Sequence, residues 1–244
     1  MTQPFIRDVD IREVYYPAPT LPETFDRTVL PVDKPEGCSS FDVIRRLRTF
    51  LDVRKMGHAG TLDPLATGLL IILMGQATRL MERFMHLPKT YEATLRLGEA
   101  TDTYDADGKV TERRDPSGIG HEDLLRARDR FVGVIEQITP AWSAVKRGGE
   151  RLYRKMRRGE EVVPPKRIVT IRSFEILERK HADVSFAVEC SSGTYIRSLA
   201  HEFGQVLGVG AHIVQLRRTH IGDFSVNEAW TVEGLQKAIR GRGA

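Results

Sequence analysis

Apolar residues recur along this chain at two spacings, every second position and every third or fourth, and the change from one to the other marks out its elements. Thr28 to Val32 reads as a short strand that ends in the turn Asp33-Lys34-Pro35-Glu36-Gly37. Ser39 or Ser40 then caps a helix whose Phe41, Ile44, Leu47 and Leu51 fall at three- and four-residue steps. Leu69 to Met74 is an unbroken apolar run, the pattern of a strand buried on both faces. Gln76 to Met85 returns to helical spacing through Ala77, Leu80, Met81 and Phe84. Beyond it Tyr91, Ala93, Leu95 and Leu97 alternate with Glu92, Thr94 and Arg96, which predicts a half-buried strand.

The second half continues in the same mixed order. Glu122 to Val132 predicts a helix packed through Leu124, Leu125, Phe131 and the stem of Arg128, and Val134 to Ile138 a strand. Gly149 to Arg158 reads as a basic helix broken at Gly159. Pro164-Pro165 opens a β-rich part with strands at Ile168 to Arg172, Phe174 to Leu177 and Val184 to Cys190. Gly193 turns the chain into a helix from Thr194 to Leu207, with Ile196, Leu199, Ala200, Phe203 and Leu207 as its core stripe. Ala211 to Leu216 is a strand, and Thr231 caps a closing helix to Ile239. Residues 1–27, with Pro4, Pro17, Pro19 and Pro22, read as an extended N-terminal arm on a domain spanning 28–244. The order of elements predicts an α+β fold, a mixed and mainly antiparallel sheet with flanking helices. No internal repeat is present.

Composition narrows the classes. The 244 residues are 41% hydrophobic and 29% charged, with a mean hydropathy of −0.31, enough for one large domain or two small ones. The longest apolar run is too short to span a bilayer, and Met1-Thr2-Gln3-Pro4 does not begin a secretion signal. Cys38 and Cys190 give neither a disulfide framework nor a zinc spacing, which suits reduced thiols in a cytoplasmic protein. The formal net charge is only +4, but Trp142 to Arg172 holds ten basic residues, Arg151, Arg154 and Arg158 among them, against three glutamates. That segment fits either a surface for a polyanion or a solvated basic helix face.

Chemistry concentrates in Gly57 to Gly68, where three glycines frame His58, Asp63 and Pro64 just ahead of the apolar run. A glycine-rich polar loop on a buried strand is a common way to present reacting groups. Asp63-Pro64 reads equally as a helix start, a capping carboxylate before a first-turn proline, with Gly68 closing a short turn. Two metal readings fail on spacing. A calcium loop around Asp105-Ala106-Asp107-Gly108 would have Thr103 and Arg114 where acids are needed, so this is read as a surface turn. His201-Glu202 is not followed by a second histidine at zincin spacing.

Gly57 to Gly68 resembles the GHxGxLDPxAxG motif of the TruB family of tRNA pseudouridine synthases. Further family-like segments are Val32-Asp33-Lys34-Pro35 with Ser39-Ser40-Phe41-Asp42, Lys89-Thr90-Tyr91-Glu92-Ala93, and Thr101-Asp102-Thr103 with Asp105 to Gly108. Gly193-Thr194-Tyr195-Ile196-Arg197 and Gly210-Ala211-His212 with Leu216-Arg217-Arg218 complete a set in family order. The resemblance implies the pseudouridine synthase fold, with a central active-site cleft, in a short form lacking the C-terminal PUA domain. It implies isomerisation of uridine to pseudouridine at position 55, in the TΨC loop of tRNA, with no cofactor and no metal. Asp63, Tyr91 and Arg197 take the catalytic positions; His58, Tyr195 and Leu216 match residues that line the site or face the RNA, and Lys34 matches a lysine near the active site, either structural or phosphate-facing. Arg151, Arg154 and Arg158 would track stem phosphates. The expected partner is tRNA alone, bound by a cytoplasmic monomer without membrane or protein partners. The competing class is a binding module that grips and refolds tRNA without altering it.

Overall fold

The computed structural model describes residues 10–242. The first nine residues of the expected arm and the last two residues of the chain lie outside the described residues. The first strand, β1, is Arg27–Lys34, followed by helix α1 (Ser40–Arg48), β2 (Met56–Ala59) and β3 (Thr67–Gly75). A 3₁₀ turn, Gln76–Leu80, leads into α2 (Met81–His86), then β4 (Lys89–Leu97), β5 (Glu99–Thr101), β6 (Val110–Arg113), α3 (His121–Asp129) and β7 (Gly133–Ile138). The basic segment holds β8 (Lys146–Arg147), β9 (Glu150–Arg151) and α4 (Leu152–Arg157). The remainder is β10 (Lys166–Lys180), β11 (Asp183–Cys190), α5 (Ile196–Val206), β12 (Ala211–Ile221), β13 (Phe224–Ser225), β14 (Trp230–Thr231) and α6 (Val232–Arg240). The class is α+β with a mostly antiparallel sheet, as the mixed pattern predicts.

The chain forms two compact units, one of residues up to Tyr91 and from Arg217 on, the other Glu92–Leu216. In the first unit β3 is the central strand. It pairs antiparallel with β1 and β2 and parallel with the end of β12, while β14 lies parallel to β1. Leu69, Ile71 and Leu73 pack with Val29, Leu80, Phe84 and Phe224. Leu70, Ile72 and Met74 pack with Val32, Ile44, Leu47 and Trp230. Two cores, one on each face, account for the unbroken apolar run. Val14 and Tyr15, from the segment expected to be extended, sit in the first of them.

In the second unit β11, β10 and β7 are joined antiparallel. Helix α5 buries Ile196, Leu199, Ala200 and Phe203, and the Phe203 ring lies 5.6 Å from Phe174 and 6.0 Å from Phe131. The regular alternation expected for β4 is observed, with Tyr91, Ala93, Leu95 and Leu97 buried.

Three departures from the sequence pattern have local causes. Phe41 is 55% exposed, although its spacing places it on the apolar stripe of α1. Ser39 caps that helix in a box with Asp42, and Ser40 takes the inward place, its hydroxyl engaged with Leu62. The basic helix expected from Gly149 begins only at Leu152. Gly148 and Gly149 both take positive φ, 63° and 83°, which closes a two-residue hairpin between β8 and β9. The two strands expected between Ile168 and Leu177 are one, β10, whose pairing with β11 slips between Ile171 and Ser173 and again between Ile176 and Glu178.

Because β3 is sealed on both faces, Leu70→Ala should lower unfolding free energy by about 2–5 kcal/mol in urea titration. Leu177→Ala, at a 55% exposed position, should stay within about 0.5 kcal/mol of wild type.

Candidate functional site

In the first unit the Asp63 loop leaves β2 at Ala59 and enters β3 at Thr67, with no helix between them. The turn the sequence allowed at Asp63-Pro64 is a single bend, closed by the Ala66 N–H donating to the Asp63 carbonyl at 3.1 Å. Both neighbours of Asp63 are clamped. The Leu62 N–H donates to Ser40 Oγ at 2.9 Å, and that hydroxyl donates back to the Leu62 carbonyl at 3.2 Å. The Pro64 carbonyl accepts from the Gly37 N–H at 2.9 Å and from Lys34 Nζ at 3.3 Å. Asp63 itself is half-buried.

Two buried cations hold this arrangement from within. Lys34, fully buried, also donates to the carbonyls of Cys38 at 2.6 Å and Pro35 at 2.9 Å. It therefore supports the loop and is not open to a phosphate. Burial lowers the Lys34 pKa, an effect opposed by Cys38, by the Asp63 carboxylate and by Glu36, and reinforced by Arg218. Arg218, 1% exposed, donates from Nε to the Leu69 carbonyl at 2.8 Å and from Nη2 to that of Gly60 at 3.1 Å. Gly68 has φ +102°, and a Cβ there would lie 2.3 Å from the Arg218 carbonyl oxygen, so only glycine lets β3 run this close to β12. Arg217 is held by both oxygens of Asp33, at 3.0 and 2.7 Å.

His58 stands in β2 opposite Ile72, half-buried, its Nδ1 without a hydrogen-bond partner. Burial and then the Arg218 charge lower its pKa, which favours a neutral ring. Tyr91 is buried in β4. Lys34, His58, Asp63 and Tyr91 all belong to this unit.

The other expected site residues belong to the second unit. Tyr195 is the residue before α5, and its main chain is bracketed by Gln137, which accepts from its N–H at 2.8 Å and donates to its carbonyl at 3.0 Å. The Arg167 guanidinium lies 4.9 Å from the centre of the Tyr195 ring. Arg197, in the first turn of α5, is 4% exposed. It donates to the carbonyls of Thr103 at 2.7 Å and Trp142 at 3.1 Å, and its Nη1 lies 3.4 Å from Asp105 Oδ2. Leu216 is buried near the middle of β12.

The segment is a turn with Ala106 and Asp107 exposed, as expected, but Asp105 departs from the reading of a surface turn. It is 5% exposed, accepts from Thr103 Oγ1 at 2.5 Å and from the Asp107 N–H at 3.2 Å, and pairs with Arg197. Its polar neighbours Asp107 and Gly108 hid an inward carboxylate; the signal available was the segment's place among the family-like motifs. The expected basic surface is also uneven. Arg151 and Arg154 are exposed and hold the Tyr153 phenol below its ordinary pKa. Arg158 is gripped by both oxygens of Glu150 at 2.6 and 2.8 Å and by Glu160 at 2.7 Å.

Residues 48–196 match the family model described as TruB family pseudouridylate synthase (N terminal domain), and residues 197–241 the model of the tRNA pseudouridylate synthase B C-terminal domain. The protein named tRNA pseudouridine synthase B of Bordetella pertussis is 47% identical over 211 residues, covering 85% of this chain and 86% of that protein. The protein of the same name from Paenarthrobacter aurescens is 45% identical over 214 residues, covering 85% and 69%. Among solved structures, a chain in the crystal structure of a Cbf5-Nop10-Gar1 complex superposes with a TM-score of 0.70 at 31% identity, covering 91% of this chain and 58% of its own. A chain in the structure of an H/ACA RNP bound to a substrate RNA containing 2′-deoxyuridine gives 0.69 at 28% identity, covering 94% and 60%. This chain thus spans about three-fifths of those two solved chains.

Ser40→Ala removes both hydrogen bonds to Leu62 and strands a buried amide. It should cost about 1–3 kcal/mol of stability in urea titration.

Proposed function

Since the chain belongs to the TruB family of tRNA pseudouridine synthases, we infer that it isomerises uridine to pseudouridine in tRNA, at position 55 of the TΨC loop. The observation that carries this reading is the half-buried Asp63 carboxylate on a loop clamped at both flanking residues.

The reaction breaks the bond between uracil N1 and ribose C1′, turns the base, and joins C5 to C1′, with loss of the C5 proton and gain of one at N1. Nothing is oxidised and no energy source is used, so the protein must supply an ionised carboxylate as nucleophile or base beside a base taken out of its stack. We assign that role to Asp63. Preorganisation of its loop spares reorganisation at the moment of reaction. A desolvated carboxylate needs a cation that does not itself lose a proton, and a guanidinium meets that need; Arg197 takes this part in the reading. Tyr91 stacks on the uracil, Tyr195 and Leu216 line the pocket, and the neutral ring of His58 fills space left by the departing nucleotide.

The folded loop of tRNA is recognised by shape and by splayed bases. Arg151 and Arg154, exposed on the basic segment, suit the stem phosphates better than Arg158, whose charge is already countered. The reading takes residues 28–244 as one catalytic domain, acting as a cytoplasmic monomer on tRNA without a cofactor or protein partner. No helix among the described residues is long and apolar enough to cross a membrane.

Asp63→Asn should abolish tritium release from tRNA labelled at uridine C5 while filter binding keeps affinity within about threefold, since the change is isosteric and removes only the charge. Turnover equal to wild type would remove Asp63 from the mechanism, and a matched loss of affinity would recast it as a binding residue. Arg151→Glu with Arg154→Glu should weaken binding and reduce its salt slope by about two, whereas Arg158→Glu should change the slope by less than one. Equal slopes for wild type and the double variant would place the segment away from RNA.

A further inference from the structure

Helix α5 reaches the 101–108 turn at two points one helical turn apart. Arg197 meets the Thr103 carbonyl and the Asp105 carboxylate. His201, four residues on and so on the same helix face, lies flat on the ring of Tyr104, with centroids 3.9 Å apart and planes 14° from parallel. Tyr104 sits between the two groups that engage Arg197, and its φ is +65°, a left-handed conformation unusual for a residue with a large side chain. Such a bend persists only where its surroundings hold it. The Tyr104 main chain is tied on one side, through its carbonyl, to the Ile213 N–H at 3.0 Å. On the other side its N–H donates to the Thr101 carbonyl at 3.3 Å, and the stack is the restraint that the Tyr104 side chain adds. His201 Nδ1 is buried with no hydrogen-bond partner, so its ring acts through its face.

We propose that the Tyr104–His201 stack is a positioning device for Arg197, holding the 101–108 turn in the bend that aims the Thr103 carbonyl and the Asp105 carboxylate at the guanidinium. Neither ring touches the reacting atoms in this scheme. The device requires a flat ring at position 201 and requires nothing of its nitrogens. Burial lowers the His201 pKa, with Glu112 opposing, and burial raises that of Tyr104, with Glu202 adding to it, so both rings favour their neutral forms. The inference rests on the reading that Arg197 serves the isomerisation.

The test compares wild type with His201→Ala, His201→Phe and Tyr104→Gly by two measurements on the full chain. The first is single-turnover pseudouridine formation at saturating tRNA, with affinity measured separately. The second is amide hydrogen exchange across residues 103–107, which needs no activity. His201→Ala should slow the chemical step about tenfold, as a small misplacement of an active-site group does, with affinity within twofold. It should also speed exchange in the turn, and His201→Phe should restore both rate and protection. Tyr104→Gly keeps the bend sterically open but removes the ring, and should behave as His201→Ala does, which covers the case of a poorly folded alanine variant. Wild-type rate and exchange in His201→Ala, or a phenylalanine variant as slow as the alanine one, would overturn the proposal. A wild-type protein that forms no pseudouridine would defeat the functional reading instead, while ring-dependent exchange would still show the restraint on the turn.

Discussion

An ammonium or guanidinium sealed from water must be surrounded by oxygen, and in the first unit Lys34 and Arg218 draw that oxygen from the main chain around Asp63. The constraint works in both directions. The carbonyls of Pro35, Cys38, Pro64, Gly60 and Leu69 have charged donors, and those donors in turn fix where the loop can run. Removing either cation would leave buried acceptors without partners, a larger penalty than the loss of one ordinary hydrogen bond. The loop is thereby set before any ligand arrives, which is the condition for a carboxylate to act without first being brought into place.

The second unit meets the same need differently. There a helix, α5, carries the charged group, and an irregular turn is shaped to receive it. Gln137 fixes the start of the helix by bonding the Tyr195 main chain in both directions, so the first-turn position of Arg197 follows from a side chain on β7. The turn supplies one carbonyl and one buried carboxylate, and Trp142 supplies a second carbonyl. At Lys34, Arg218 and Arg197, main-chain carbonyls do most of the holding of the buried charge.

What could be read from the residues alone follows from this division. The unbroken run of β3, the alternation of β4 and the stripe of α5 are patterns sustained over many residues, and such patterns survive translation into structure. The Asp63 loop was legible as a candidate site because glycine, aspartate and proline lie together there, although the roles proposed for its residues came from resemblance. Positions decided by a single contact were not legible. Phe41 faces outward because Ser40 holds Leu62, and the basic helix is shortened because two glycines close a hairpin. Asp105 looked solvated among polar neighbours and is buried against Arg197. The capping of Lys34 by three carbonyls leaves no mark in the sequence, since carbonyls are present at every residue.

The close passage of Gly68 beside the Arg218 backbone limits how such a chain can diverge. Any side chain there meets rigid peptide, so no nearby rotamer change can make room, and the whole of β12 would have to slide. A lineage drifting one substitution at a time therefore has no viable neighbour at this residue. Gly37 and Gly159 face open space, and the barrier to replacing them is conformational alone. Variation should accordingly collect in such open turns, while the parallel pairing of the two strands at Gly68 stays frozen.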